Sequence, residues 1–245
     1  MNNNQTLEKL RQMRLTAMAA LHEQHLEDNR IESMTTDEYL ALLVDHQWED
    51  RQGRKIERLI KQARFKQKAS LAEVAYNPKR NLDKNNFTRL GTLDFIARKE
   101  NLIITGASGT GKSYLAQALG YQACLTEHKT RYANTAKLLG ELTLSKMDGS
   151  YLKELKKINR TKLLILDDFG LQAFDKQTRE ILMDIIDERY NETSTIIASQ
   201  IPVSAWYDLI GEGTIADAIL DRIVNSSHRI KLKGESLRKG KLKSI

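Results

Sequence analysis

Two clusters of residues in this chain have the types and spacing to do chemistry: the run GASGTGKS at 106–113 and the adjacent carboxylates Asp167 and Asp168. The first has the spacing G-x-x-x-x-G-K-S, in which glycines let backbone N–H groups turn inward around phosphate oxygens. Its lysine, Lys112, is placed to reach β and γ phosphates, and the hydroxyl of Ser113 to ligate Mg²⁺. The expected ATP contacts are Gly106, Ala107, Ser108, Gly109, Thr110, Gly111, Lys112, Ser113 and Tyr114, the last opening the helix that follows. In LLILDDFG four apolar residues bring Asp167 and Asp168 to the C-terminal end of a buried strand, where open α/β sheets bind ligands. Asp167 fits the carboxylate on the Mg²⁺ side, and Asp168 the group that orients or activates the attacking water.

Further polar residues complete the set. STIIASQIP reads as a strand ending in Ser199 and Gln200, either of which could meet a γ-phosphate or the water beside it. Arg222 lies in the helical pattern DAILDRIV, and Arg238 follows Gly234. In an ATPase that assembles head to tail, an arginine supplied by a neighbour stabilises charge on the transferring phosphoryl group.

These residues need a scaffold, and beyond Pro78 the pattern supplies one. Short apolar runs at 101–105, 130–134, 162–168, 194–199 and 228–233 alternate with helical stretches, the signature of crossover units and a mostly parallel five-stranded sheet covered by helices. Before Pro78 the pattern is helical throughout. Leu7, Leu10, Met13, Ala17 and Leu21 fall on one face of a single expected helix over 7–26. Thr35 precedes Glu38 by three residues in a capping box that opens a second helical region, expected to break near Gly53. Ser70 and Glu73 repeat that signal within SLAEVAY, which is expected to start a further short helix ending before Pro78. The expected division is a helical domain over 1–78 and an ATPase domain over 79–245.

The formal net charge of +7 favours an anionic partner. Between Arg51 and Lys68 stand eight lysines and arginines against one acid, Glu57. Arg51, Lys55, Arg58 and Lys61 share a helical face, with Arg54 beside it. The single cysteine, Cys124, excludes an internal disulfide and, with no Cys/His cluster, argues against zinc. No apolar run approaches a membrane span or a signal peptide, so a cytoplasmic protein is expected.

Taken in order, the phosphate loop, the Asp pair, the polar strand end and the late arginines resemble the AAA+ ATPases. LRQMRLTAMAALHEQ, YLALLVDHQWEDRQGRKIERLIKQARF and IADAILDRIVNSSHRIKLKGES narrow the resemblance to the IstB family, the helper ATPases of insertion-sequence transposition, whose relatives are DnaC-type helicase loaders. The resemblance implies an α/β AAA+ P-loop module behind a small helical domain that contacts DNA and transposase and self-associates. It implies an ATPase with ATP and Mg²⁺ that binds double-stranded DNA largely without sequence preference, through Arg51, Arg54, Lys55, Arg58 and Lys61. It further implies a homo-oligomer formed with ATP and DNA, and a cognate transposase as partner. Gln200, or Ser199, becomes the first sensor, Arg222 the arginine finger acting in trans, and Arg238 the second sensor. Asp168 stands where many AAA+ proteins carry glutamate, and its shorter side chain implies slow, DNA-stimulated hydrolysis. A DnaC-like helicase loader, a metabolic kinase and a scaffold that only binds ATP are the competing readings.

Overall fold

The computed structural model describes residues 3–28 and 34–237. The chain divides into two compact units, 1–58 and 59–245.

The first unit is helical: α1 (Asn3–Gln12), α2 (Thr16–Glu27) and most of α3 (Thr36–Ala63). The single helix expected over 7–26 is interrupted. Arg14 takes a left-handed φ of 60°, while Leu15 N–H bonds Leu10 O and Arg14 N–H bonds Arg11 O, which ends α1 in a Schellman-type turn. Glycine normally fills that position, so an arginine there gave no signal. Leu7, Ala17, Ala19 and Leu43 are buried, and the buried Gln47 amide oxygen accepts from Met18 N–H at 3.3 Å. The capping box forms reciprocally, with Glu38 N–H on Thr35 Oγ1 and Thr35 N–H on Glu38 Oε2. The expected break near Gly53 is absent: α3 runs through it, since one glycine weakens a helix without stopping it.

The second unit is a three-layer α/β structure. Strands β1 (Asn101–Thr105), β2 (Thr130–Asn134), β3 (Leu163–Asp167), β4 (Ser194–Ser199) and β5 (Ser227–Lys231) form one parallel sheet in the order β2-β3-β4-β1-β5. Successive residues of a strand face opposite sides, so Leu102, Ile104, Leu163, Ile165 and Ile196 enter one core and Ile103, Leu164, Leu166 and Ile197 the other. The first core is covered by α4 (Lys84–Gly91), α5 (Asp94–Ala97) and α6 (Lys112–Leu125). The second is covered by α7 (Thr135–Met147), α8 (Tyr151–Asn159), α9 (Lys176–Arg189), α10 (Trp206–Ile210) and α11 (Gly213–Val224).

The segment 59–78, which the sequence pattern assigns to the helical domain, belongs to this second unit. Phe65, Leu71, Val74 and Tyr76 have no core of their own and cover the α6 side of the sheet. SLAEVAY forms only a single 3-10 turn, Leu71–Glu73. Ser70 caps it through Ala72 N–H, but Glu73 reaches out to the Tyr114 hydroxyl at 2.9 Å instead of back to Ser70.

In α3, a Cβ added to Gly53 meets nothing within 4 Å. Gly53→Ala is therefore expected to raise the unfolding free energy by about 0.5–1 kcal/mol through reduced backbone entropy of the unfolded chain, read as an upward shift of the urea midpoint at constant slope.

Candidate nucleotide site

The phosphate loop leaves β1 and enters α6, so its backbone amides and the positive end of the helix dipole face the same point. Gly109 and Gly111 adopt φ of 79° and 93°. A Cβ on Gly109 would lie 2.1 Å from Ser236 Oγ, and one on Gly111 would lie 2.7 Å from Arg80 Nη2, so these positions need glycine for space as well as conformation. The Thr110 hydroxyl and Lys112 Nζ both donate to Ala107 O, at 2.9 Å each, holding the loop closed on itself.

At the end of β3 the Asp167 side chain is 2% exposed. Its Oδ1 accepts from Ser113 Oγ at 2.9 Å and from Asp168 N–H at 3.0 Å, and its Oδ2 from the Tyr132 hydroxyl at 2.5 Å. Burial first, and the neighbouring Asp167 carboxylate next, push the Tyr132 phenol well above its ordinary pKa and keep it a donor. A serine hydroxyl and a carboxylate oxygen side by side make the hard oxygen donor pair that Mg²⁺ prefers, so the residues present fit that ion.

Asp168 has a left-handed φ of 55°, and its carboxylate has a different partner from that of Asp167. Asn134, at the end of the neighbouring strand β2, donates its amide to Asp168 Oδ2 at 2.9 Å, and its own oxygen caps α7 through Lys137 N–H. Asp168, Gln200, Lys112, Ser113, Ser108, Tyr114 and Arg80 line one cavity of about 480 Å³. The Tyr114 hydroxyl donates to Glu73, which fixes this wall to the segment before the sheet.

The two candidates at the end of β4 separate here. Ser199 is fully buried: its hydroxyl donates to Phe169 O at 2.7 Å and accepts from Ile201 N–H at 3.0 Å. Gln200 faces the cavity. Arg222 lies outside it, at the end of α11. It is held at 2.9 Å by Asp187, donates to Ala218 O and lies over the Tyr190 ring at 5.7 Å. Arg238 lies outside the described residues. The residue before it, Leu237, lines the cavity and donates its N–H to Gly109 O at 2.9 Å.

Among the expected DNA contacts, Arg51, Arg54, Arg58 and Lys61 are exposed, Lys55 is half-buried, and Arg54 pairs with Asp50 at 2.9 Å.

Four residues escaped sequence reasoning. Tyr132 and Asn134 sit in the unremarkable strand TRYAN and act only through pairing of β2 with β3. Arg80, 5% exposed, donates to Ala75 O and to Thr110 O, tying the approach segment to the loop. Burial lowers its guanidinium from the usual arginine range. Gln117 is the fourth: buried on α6, it is one more polar residue in a helix.

The family model for the IstB-like ATP binding protein matches residues 8–244. The insertion-sequence ATP-binding protein y4pL of Sinorhizobium fredii is 42% identical over 234 residues, covering 96% of each chain. The ATP-binding protein of insertion sequence IS1162 from Pseudomonas fluorescens is 37% identical, over 83% of this chain and 89% of the relative. Among solved structures, the DnaC helicase loader superposes with a TM-score of 0.53 at 24% identity, over 64% of this chain and 94% of that one. At that identity the likeness is one of fold, that of an AAA+ P-loop module.

The contrast between Ser199 and Gln200 is testable. Ser199→Ala strands the buried carbonyl of Phe169 and the part-buried N–H of Ile201 and is expected to cost about 1–3 kcal/mol of stability. Gln200→Ala should leave the thermal midpoint nearly unchanged while slowing ATP turnover; a steady-state phosphate-release assay beside a melting curve distinguishes the two.

Proposed function

Because the chain belongs to the IstB-like ATP-binding protein family, we propose that it is an ATP-hydrolysing, DNA-binding regulator that assembles on double-stranded DNA and recruits or activates a transposase for insertion-sequence transposition. The observation that supports this most is the convergence, around one cavity, of Lys112, the Ser113–Asp167 pair, Asp168 and Gln200. Backbone amides of the loop and Lys112 would hold the β and γ phosphates of ATP. Ser113 and Asp167 would hold Mg²⁺, which when bound neutralises charge between the phosphates.

Asp168 would then accept the proton of the attacking water, and Gln200 would contact the γ-phosphate or that water. Asn134 binds Asp168 Oδ2 and restrains it, and the aspartate is one methylene shorter than a glutamate. Both features support slow turnover that binding of DNA accelerates. Arg222, remote from the cavity of its own chain, fits a finger that completes a neighbour's site in a homo-oligomer. Arg238 fits the second sensor, because Leu237 runs along the loop immediately before it.

The helical part, assigned to 1–78 from the sequence, would carry the DNA and transposase contacts and self-association, with Arg51, Arg54, Lys55, Arg58 and Lys61 on phosphates. Among the described residues no helix is long and apolar enough to cross a membrane, which agrees with work on DNA in the cytoplasm. A helicase loader remains the second reading on fold alone; family membership favours transposition.

Three variants test the assignment. Lys112→Ala should weaken ATP binding at least about tenfold, since a charge-assisted contact to phosphate is lost. Asp168→Asn should bind ATP normally and turn over about 100-fold more slowly, the scale of a lost general base. Arg222→Ala should bind ATP but hydrolyse poorly, and mixing it with excess Asp168→Asn subunits, which still carry the arginine, should restore hydrolysis. No rescue at any ratio would rule out action in trans.

A further inference from the structure

The basic run that begins at Arg51 continues in sequence past the end of α3 through Arg64, Lys66 and Lys68. In the second unit Lys61, Arg64, Lys66 and Lys68 border a groove of about 440 Å³ with Phe65 and Tyr121 on its apolar wall. All four cations are exposed, and among the described residues no carboxylate pairs with any of them. Arg131 lies close by; burial first, and the charge of Arg64 next, hold its guanidinium below the ordinary range. Four uncompensated charges within eight residues attract an anion, and the details favour a polymer. The backbone N–H groups of Lys66 and Gln67 are already bonded, so a compact anion would find no amide cradle. Point charges on flexible arms instead match the repeated phosphates of a DNA strand. The Phe65 and Tyr121 rings, with centroids 6.5 Å apart, offer sugars an apolar face.

The floor of this groove is joined to the nucleotide site. Gln117, 2% exposed, accepts from Lys66 N–H at 2.7 Å and Gln67 N–H at 3.2 Å, and donates to Ser113 O at 3.0 Å. Lys66 Nζ stands 5.6 Å from the centroid of the Tyr132 ring, whose hydroxyl holds Asp167. Gln67 lines both the groove and the ATP cavity.

We propose that this groove docks the phosphodiester backbone of duplex DNA and that Gln117 couples its occupancy to the phosphate loop. The inference rests on the reading of the protein as a DNA-binding ATPase and adds to it a contact site on the ATPase unit and a route by which DNA and ATP influence each other.

The test uses the full-length protein, a fluorescent duplex of about 30 base pairs, and salt between about 50 and 200 mM. Arg64→Gln/Lys68→Gln should weaken binding about tenfold at the low end and reduce the log–log salt slope by about 1.8, two phosphate contacts' worth. A control with the same charge loss on β5, Arg229→Gln/Lys231→Gln, at the sheet edge opposite β2 and so about 19 Å from it, four strand spacings, should change affinity less than about twofold, since charges beyond a Debye length are screened. Wild-type affinity and slope in the groove variant, the result expected if the groove serves an acidic protein segment, would overturn the proposal. If the parent protein itself bound no duplex at low salt, the broader DNA-binding reading would fall and this inference with it. For the coupling, Gln117→Leu, and Gln117→Glu which cannot donate to Ser113, should each bind DNA without nucleotide yet lose the change in affinity that a non-hydrolysable ATP analogue causes in the parent. A nucleotide effect of parental size in either folded variant overturns the coupling.

Discussion

The nucleotide site depends on how a buried carboxylate is satisfied. Asp167 is almost wholly removed from water, and an ion in that position is tolerated only when its lone pairs are filled. Ser113 Oγ, Tyr132 Oη and Asp168 N–H fill them, from α6, from β2 and from the turn after β3. One side chain therefore fixes the angle of the phosphate-loop helix, the position of the neighbouring strand and the direction of the turn that carries Asp168. The Thr135 hydroxyl, which donates to Asp167 O at 2.9 Å, extends the same network into α7.

A second set of bonds closes the loop from outside. Arg80 connects Ala75 O and Thr110 O, and its own carbonyl accepts from Lys233 N–H at 2.9 Å. Leu232 N–H bonds Thr105 O at 2.7 Å, and Ser236 occupies the space a side chain on Gly109 would need. The cradle that the motif places in eight consecutive residues is thus walled by chain from well before it and well after it. A loop held in this way keeps its amides aimed at one point, which is the preorganisation that phosphate recognition requires.

The sequence shows clearly whatever depends on local pattern. The three interior strands, β3, β4 and β1, appear where apolar runs end in turn signals, because a parallel strand buried on both faces must be largely apolar, while the edge strands β2 and β5 are more polar and more exposed. The loop and the acidic pair carry their spacing openly. What stayed hidden depends on pairing between distant segments. Tyr132 and Asn134 matter only because β2 lies beside β3, and nothing in TRYAN announces it. Arg14 ends a helix in a conformation that glycine usually marks. The segment 59–78 carries helix signals, but its apolar side chains Phe65, Leu71, Val74 and Tyr76 pack into the core on the α6 side of the sheet. Ser199 and Gln200 are chemically equivalent candidates on paper, and only the direction of each side chain at the end of β4 separates them.

The strand order has a consequence for biogenesis. β1, which carries the phosphate loop, is interior to the sheet, and both its neighbours, β4 and β5, are later in the chain. Asn101 pairs opposite Ser227, so at ordinary translation speeds of about 5–20 residues per second β1 waits on the order of ten seconds for its last partner to be made. For most of that interval, until β4 is made, Leu102, Ile103 and Ile104, all buried in the finished protein, lack both neighbouring strands. Such non-local parallel pairing is slow to form, and the sheet that holds the phosphate loop is completed only when nearly all of the chain has been made. A chain cut short before β5 therefore keeps the phosphate-loop signature in sequence while the strand that carries it lacks one of its two neighbours.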